Sequence, residues 1–171
     1  MEQEIINRFN SYKYDYVKIN DDDILSIVYN LFFKRQDKIE EDIIINNPLL
    51  CYYFGVYYDI EVYINSKYKK TQMKKYYGKA IENGMIEAMV ALGRYYYKCN
   101  KYMNMLKYHS MALKQGSNSV LYYLGCYYYY IKDYQQMLEY FLRSVNHGDV
   151  RSMNALGSYY QGIKDYELMK K

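Results

Sequence analysis

The dipeptide Leu-Gly returns every 32 residues, at Leu92-Gly93, Leu124-Gly125 and Leu156-Gly157, and no other feature of the chain restricts its fold so far. A fixed period of this length marks stacked repeats, because one short supersecondary unit cannot bury its own apolar side and needs a neighbour to cover it. Phe54-Gly55 is a degenerate first copy. Gly84, Gly116 and Gly148 close successive units, each eight residues ahead of the next Leu-Gly. The units therefore run 47 to 84, 85 to 116, 117 to 148 and 149 to 171, the last incomplete. Six additional residues in the first, around Glu61-Val62-Tyr63-Ile64-Asn65-Ser66, predict a loop insertion.

Within a unit the apolar spacing is helical. Ala88, Leu92, Tyr95 and Tyr96 follow a three- and four-residue rhythm that breaks at Cys99-Asn100 and resumes through Tyr102, Met105, Leu106, His109 and Ala112. The third unit repeats this with Val120, Leu124, Tyr127 and Tyr128, a break near Lys132-Asp133, then Tyr134, Met137, Leu138, Phe141 and Ser144. Each unit is thus a helical hairpin, helix A then helix B. The expected fold is all-α: an α-solenoid, or superhelix, of stacked antiparallel hairpins. A glycine inside a helix costs about 1 kcal/mol against alanine. Its return at Gly55, Gly93, Gly125 and Gly157 therefore predicts that helix B crosses helix A there at close approach. Gly84, Gly116 and Gly148 suit the left-handed residue that ends helix B.

These positions also carry a family resemblance. The string Ala80-x3-Gly84-x3-Ala88-x3-Leu92-Gly93, echoed from Ala112 and from Ser144, resembles the junction of Sel-one-like repeats, relatives of the tetratricopeptide repeats. The steps from Gly93 to Met105 and from Met105 to Ala112 are similar to the glycine, small and alanine positions of a tetratricopeptide hairpin. The resemblance spans residues 47 to 171. It departs in one place, since the Gly-x-Gly-Val loop between the two helices survives only as Gly162-Ile163 ahead of Asp165-Tyr166.

Residues 1 to 46 stand outside the register. Asp21, Asp22 or Asp23 would cap a helix through Ile24, Leu25, Ile27, Val28, Leu31 and Phe32, and Ile39 to Ile45 would form a shorter second one. A helical cap on the open end of the stack follows. This head holds ten acidic and six basic residues, a net −4, and the rest of the chain a net +8. At the other end Lys171 falls about two turns into a helix B, so either the parent protein continues or the open edge meets another chain, self-association of copies included. Three cysteines without a CxxC pair point to reduced thiols in a cytoplasmic, intracellular setting. No apolar run is long enough for a membrane span. The wealth of Tyr, Ile, Asn and Lys is that of an AT-rich coding genome, such as that of a large DNA virus or a protozoan parasite, and for a viral protein the setting would be the host cytoplasm.

No catalytic constellation stands out. His109 shares its column with Tyr77 and Phe141, which makes it a packing residue. Cys99 and Cys126 fall in different columns without a positioned base, and two histidines make a zinc site improbable. A protein without enzymatic activity, cofactor or metal is expected. The resemblance implies that helix A residues left over from packing line a concave groove, here Tyr52, Tyr53, Arg94, Tyr97, Lys98, Tyr122, Tyr123, Tyr129, Arg151 and Asn154. Tyrosine offers a large contact area with few rotatable bonds, and arginine a fork for carboxylates. The groove would make the chain a protein–protein interaction scaffold, holding an acidic or C-terminal segment of a protein partner. Lys67, Lys69, Lys70, Lys74, Lys75 and Lys79, next to Tyr68, Tyr76 and Tyr77, form a basic patch that makes nucleic acid the alternative partner.

Overall fold

In the computed structural model residues 1 to 12, 17 to 34, 41 to 61 and 67 to 162 are described, and among them every regular element is helical. The inserted residues after Glu61, the Gly-x-Gly-Val remnant after Gly162, the second helix of the last unit, and Ile39 at the start of the shorter cap helix lie outside the described residues. The helices pack mainly as neighbouring pairs, in two compact units, Met1–Tyr95 and Tyr96–Lys171. Among the described residues no helix is long and apolar enough to cross a membrane.

The first unit holds α1 (Glu2–Tyr12), α2 (Asp22–Phe33), α3 (Glu41–Ile45), α4 (Pro48–Glu61), α5 (Lys67–Glu82) and α6 (Ile86–Lys98) as far as Tyr95. Asp21 is the residue that caps α2: its side chain accepts from the backbone N–H groups of Asp23 and Ile24. Asn47 does the same for α4, accepting from Leu49 and Leu50 at 3.0 and 3.1 Å, with the chain's one proline at the first helical position, where its missing N–H costs nothing. The unpredicted element is α1, which joins the core through Ile5, fully buried.

The second unit continues with α7 (Tyr102–Lys114), a short 3₁₀ turn (Asn118–Val120), α8 (Leu121–Tyr130), α9 (Tyr134–Asn146) and α10 (Val150–Gly162). Asp133 caps α9 by accepting from the Gln136 N–H. Its core gathers Met137, Phe141 and Leu156, with Tyr122, Tyr128 and Tyr159 packed around them.

The recurring columns are buried columns. Met73, Met105 and Met137 are fully enclosed, as are Ala80, Ala112 and Ser144, and Ala88, Val120 and Ser152. Where helix B ends, Gly84, Gly116 and Gly148 take φ of 79°, 91° and 80°, and the next residue's N–H returns five residues back: Met85 to Ala80, Ser117 to Ala112, Asp149 to Ser144. The turn from helix A to helix B uses the same device without glycine. Asn100 and Lys132 sit at φ 56° and 62°, and Lys101 and Asp133 donate back to Tyr96 and Tyr128.

The mid-helix glycines divide. A methyl group on Gly55 would overlap the Tyr77 ring, and one on Gly125 would lie 2.5 Å from the Phe141 ring, so these two are crossing points of helix A and helix B. A methyl on Gly157 would meet nothing within 4 Å, so the crossing expected there is not found among the described residues.

A second device ties the helices of a hairpin together. Tyr58 and Tyr76 stack with centroids 5.8 Å apart and planes 5° from parallel. Tyr96 and Tyr108 do so at 5.7 Å and 3°, and Tyr128 and Tyr140 at 5.2 Å and 9°. The last two pairs are 32 residues apart at both members. Stacks of this separation contribute about 0.5–1.5 kcal/mol each beyond the area they bury.

Candidate functional site

The second unit contains a hollow of about 610 Å³, within the range of pockets that hold ligands. The end of α6 supplies Tyr97, the start of α7 Tyr102, and the end of α8 Cys126, Tyr129 and Tyr130. Lys132 stands on the turn, α9 brings Tyr134 with Met137 and Phe141, and α10 closes the lining with Ala155, Ser158 and Tyr159. The hollow thus lies where the turns between helices A and B gather.

Its walls are two runs of touching rings. Tyr97 meets Tyr102 edge to face at 6.3 Å, and Tyr102 meets Tyr130 at 4.3 Å. Tyr129 meets Tyr134 at 6.2 Å, and Tyr134 meets Tyr159 at 5.6 Å. The Tyr97–Tyr102 and Tyr129–Tyr134 contacts are one contact repeated 32 residues on. Tyr129, Tyr130 and Tyr134 nevertheless keep 56%, 62% and 42% of their surface in water. Buried surroundings push the Cys126 thiol upward, with hydrogen bonds from Tyr122 and Tyr97 acting the other way, so it lines the hollow as a neutral thiol. Cys51, in the first unit's core, is pushed up to about 11 by the same desolvation. The described residues hold no group of three or more His, Cys, Asp or Glu that could bind a metal ion. A smaller hollow of about 330 Å³ adjoins, sharing Tyr102 and Tyr130 and reaching Lys101, Asn104, Tyr127 and Ile131.

No protein-family model matches the chain, and no curated protein matches it significantly. The arrangement of its own side chains carries the rest.

The expected groove residues are not one lining. Tyr97 and Tyr129 line the hollow. Tyr52 and Tyr53, expected on an open face, are 1% and 0% exposed in the first unit's core. There Tyr52 meets Tyr77, Tyr53 meets Phe32, and the Tyr53 hydroxyl donates to the Val17 carbonyl. Arg94 is half-buried in that unit, and Lys98 and Asn154 are exposed away from the hollow. Tyr122, Tyr123 and Arg151 form a cluster of their own.

Arg151 is already engaged. Its guanidinium donates to both Asp149 carboxylate oxygens, at 3.1 and 2.6 Å, and to the Tyr123 hydroxyl at 2.9 Å, while lying 4.6 Å from the Tyr122 ring centroid. An incoming carboxylate would have to displace Asp149, which corrects the expectation of an open fork. Asp149 also caps α10, accepting from the Arg151 N–H. His109 is fully buried, as its column requires, with its ring 4.8 Å from that of Tyr123.

The cluster has a pH signature. Hydrogen bonding to Arg151 holds the Asp149 carboxyl below its ordinary value. A depressed folded value adds stability above the unfolded value, near 3.9, that is lost as pH falls through the folded one. Asp149→Asn keeps a capping side chain and removes the charge. The wild-type melting temperature is expected to drop more steeply than the variant's below about pH 4, and parallel curves would discount the Arg151 contact.

The lysine patch lies on α5 in the first unit. Lys67 and Lys74 are exposed, and Lys69, Lys70, Lys75 and Lys79 are half-buried. Lys79 pairs with Glu82 at 2.8 Å. Lys74 lies 5.8 Å from the Tyr95 ring centroid and Lys75 5.6 Å from that of Tyr76. Of the three tyrosines expected to stack on bases, Tyr76 and Tyr77 are core residues, and Tyr68 alone is open, at 62%. This removes most of the aromatic platform that single-stranded nucleic acid requires.

Sequence reasoning missed Tyr102, Tyr130, Lys132, Tyr134 and Tyr159. A signal for two of them existed, since Tyr102 and Tyr134 recur at the repeat period close to the helix break.

Proposed function

We propose that the chain is a non-enzymatic protein–protein interaction scaffold, and that it holds a segment of a partner protein in the tyrosine-lined hollow of the second unit. The observation that carries this reading is the pair of ring runs around the hollow, in which Tyr129, Tyr130 and Tyr134 stay largely in water. Tyrosine is enriched at interaction hot spots, and a contiguous exposed aromatic patch marks a partner surface. The 32-residue period and the packing of helices in neighbouring pairs support an α-solenoid of Sel-one-like hairpins as the frame. Three free cysteines fit a reducing compartment such as the cytoplasm.

Tyr129 and Tyr130 are exposed and each gives up one ring contact, to Tyr134 and Tyr102, so Tyr129→Ala together with Tyr130→Ala should cost about 1–3 kcal/mol and leave the chain folded. The same variant should lose the protein captured by the wild-type chain from nuclease-treated lysate of its source cells. Capture retained by the variant would overturn the site.

A further inference from the structure

We infer that the segment held in the hollow is proline-rich, in the polyproline II conformation, and flanked by acidic residues. This rests on the hollow being the partner site. The two hollows meet at the Tyr102–Tyr130 pair, which lines both, so a ligand that fills them is elongated and straddles a ridge. An amphipathic helix needs an unbroken apolar trough for its i, i+3, i+4 and i+7 side chains, and the ridge interrupts one. A polyproline II strand turns once in three residues, so its residues i and i+3 point the same way and drop on either side of such a ridge.

The lining chemistry agrees. Pyrrolidine rings pack their C–H faces on tyrosine rings, and the strand is ordered before binding, which lowers the entropy cost of capture. Its carbonyls have no internal partner. The Tyr102 and Tyr127 hydroxyls already donate to Asn100 Oδ1 and Met103 Sδ, but the exposed side chains of Tyr129, Tyr130 and Tyr134 carry hydroxyls that can donate to such acceptors. Charge completes the match: Lys132 lines the larger hollow and Lys101 the smaller, and no carboxylate lines either among the described residues.

The test measures fluorescence anisotropy of the full chain with a labelled peptide of Pro-x-x-Pro repeats and a glutamate at each end. Two control peptides carry alanine for proline and lysine for glutamate. The proline-glutamate peptide should bind about tenfold more tightly than either control, and Tyr130→Ala should weaken it by about tenfold. Equal affinity for the alanine control overturns the polyproline conformation, and equal affinity for the lysine control overturns the acidic flanks. No peptide binding, together with lysate capture lost in the Tyr129→Ala, Tyr130→Ala double variant, overturns this inference and leaves the proposed site standing. No peptide binding with capture retained in that variant overturns both.

Discussion

Replacing Gly125 with leucine is expected to destabilise the second unit by about 3 kcal/mol or more. The first carbon of any side chain there would sit 2.5 Å from the Phe141 ring, too close for rotamer adjustment to relieve, because Phe141 is enclosed by α8, α9 and α10. Either the ring leaves its well or the two helices of the hairpin separate, and both lose packing on Met137 and Leu156. Gly157 is the comparison, since among the described residues a methyl group in the same column meets nothing within 4 Å there. Gly157→Ala should raise stability by about 0.5–1 kcal/mol through helix propensity alone. Urea denaturation followed by circular dichroism measures both, and a loss under about 1 kcal/mol for Gly125→Leu would mean that helix A and helix B are not locked at this crossing.

The second large effect comes from the other side of that contact. Phe141→Ala empties the centre of the second unit's core and is expected to cost about 3–5 kcal/mol, the transfer of a buried ring plus the cavity it leaves. The two substitutions should not add. With the ring gone, the leucine at position 125 has space to occupy, so the double variant is expected to be more stable than the sum of the single losses by about 0.5–3 kcal/mol. Additive losses in the denaturation curves would place the strain of Gly125→Leu somewhere other than Phe141.

The all-helical class and the hairpin columns were legible in the sequence because they rest on period, and period survives any choice of partner. Met105, Ala112, Val120 and Leu124 are buried where the spacing puts them. The α1 helix was not legible, since one buried residue, Ile5, sets no period. The groove was half legible. Tyr52 and Tyr53 stand in the same columns as the half-buried Tyr122 and Tyr123, but the head of the chain covers α4 through Phe32 and Val17, and no repeat pattern reports what a non-repeating segment will cover. Arg151 was misjudged for a local reason: Asp149, two residues earlier, both caps the helix and takes its guanidinium. The hollow was not legible because the period of the helix A faces says nothing of the turns, and residues beside the turns, Tyr102, Tyr130 and Tyr134, line it together.

The three stacked pairs Tyr58–Tyr76, Tyr96–Tyr108 and Tyr128–Tyr140 also have an optical consequence. The chain contains no tryptophan, so its near-ultraviolet signal belongs to tyrosine, and rings held 5°, 3° and 9° from parallel couple their electronic transitions. Each pair joins the two arms of one hairpin and uncouples when those arms part. Tyrosine circular dichroism therefore gauges closed hairpins, while the far-ultraviolet band gauges helix content, and the gap between the two during unfolding reads directly the population in which helices persist but hairpins have sprung open.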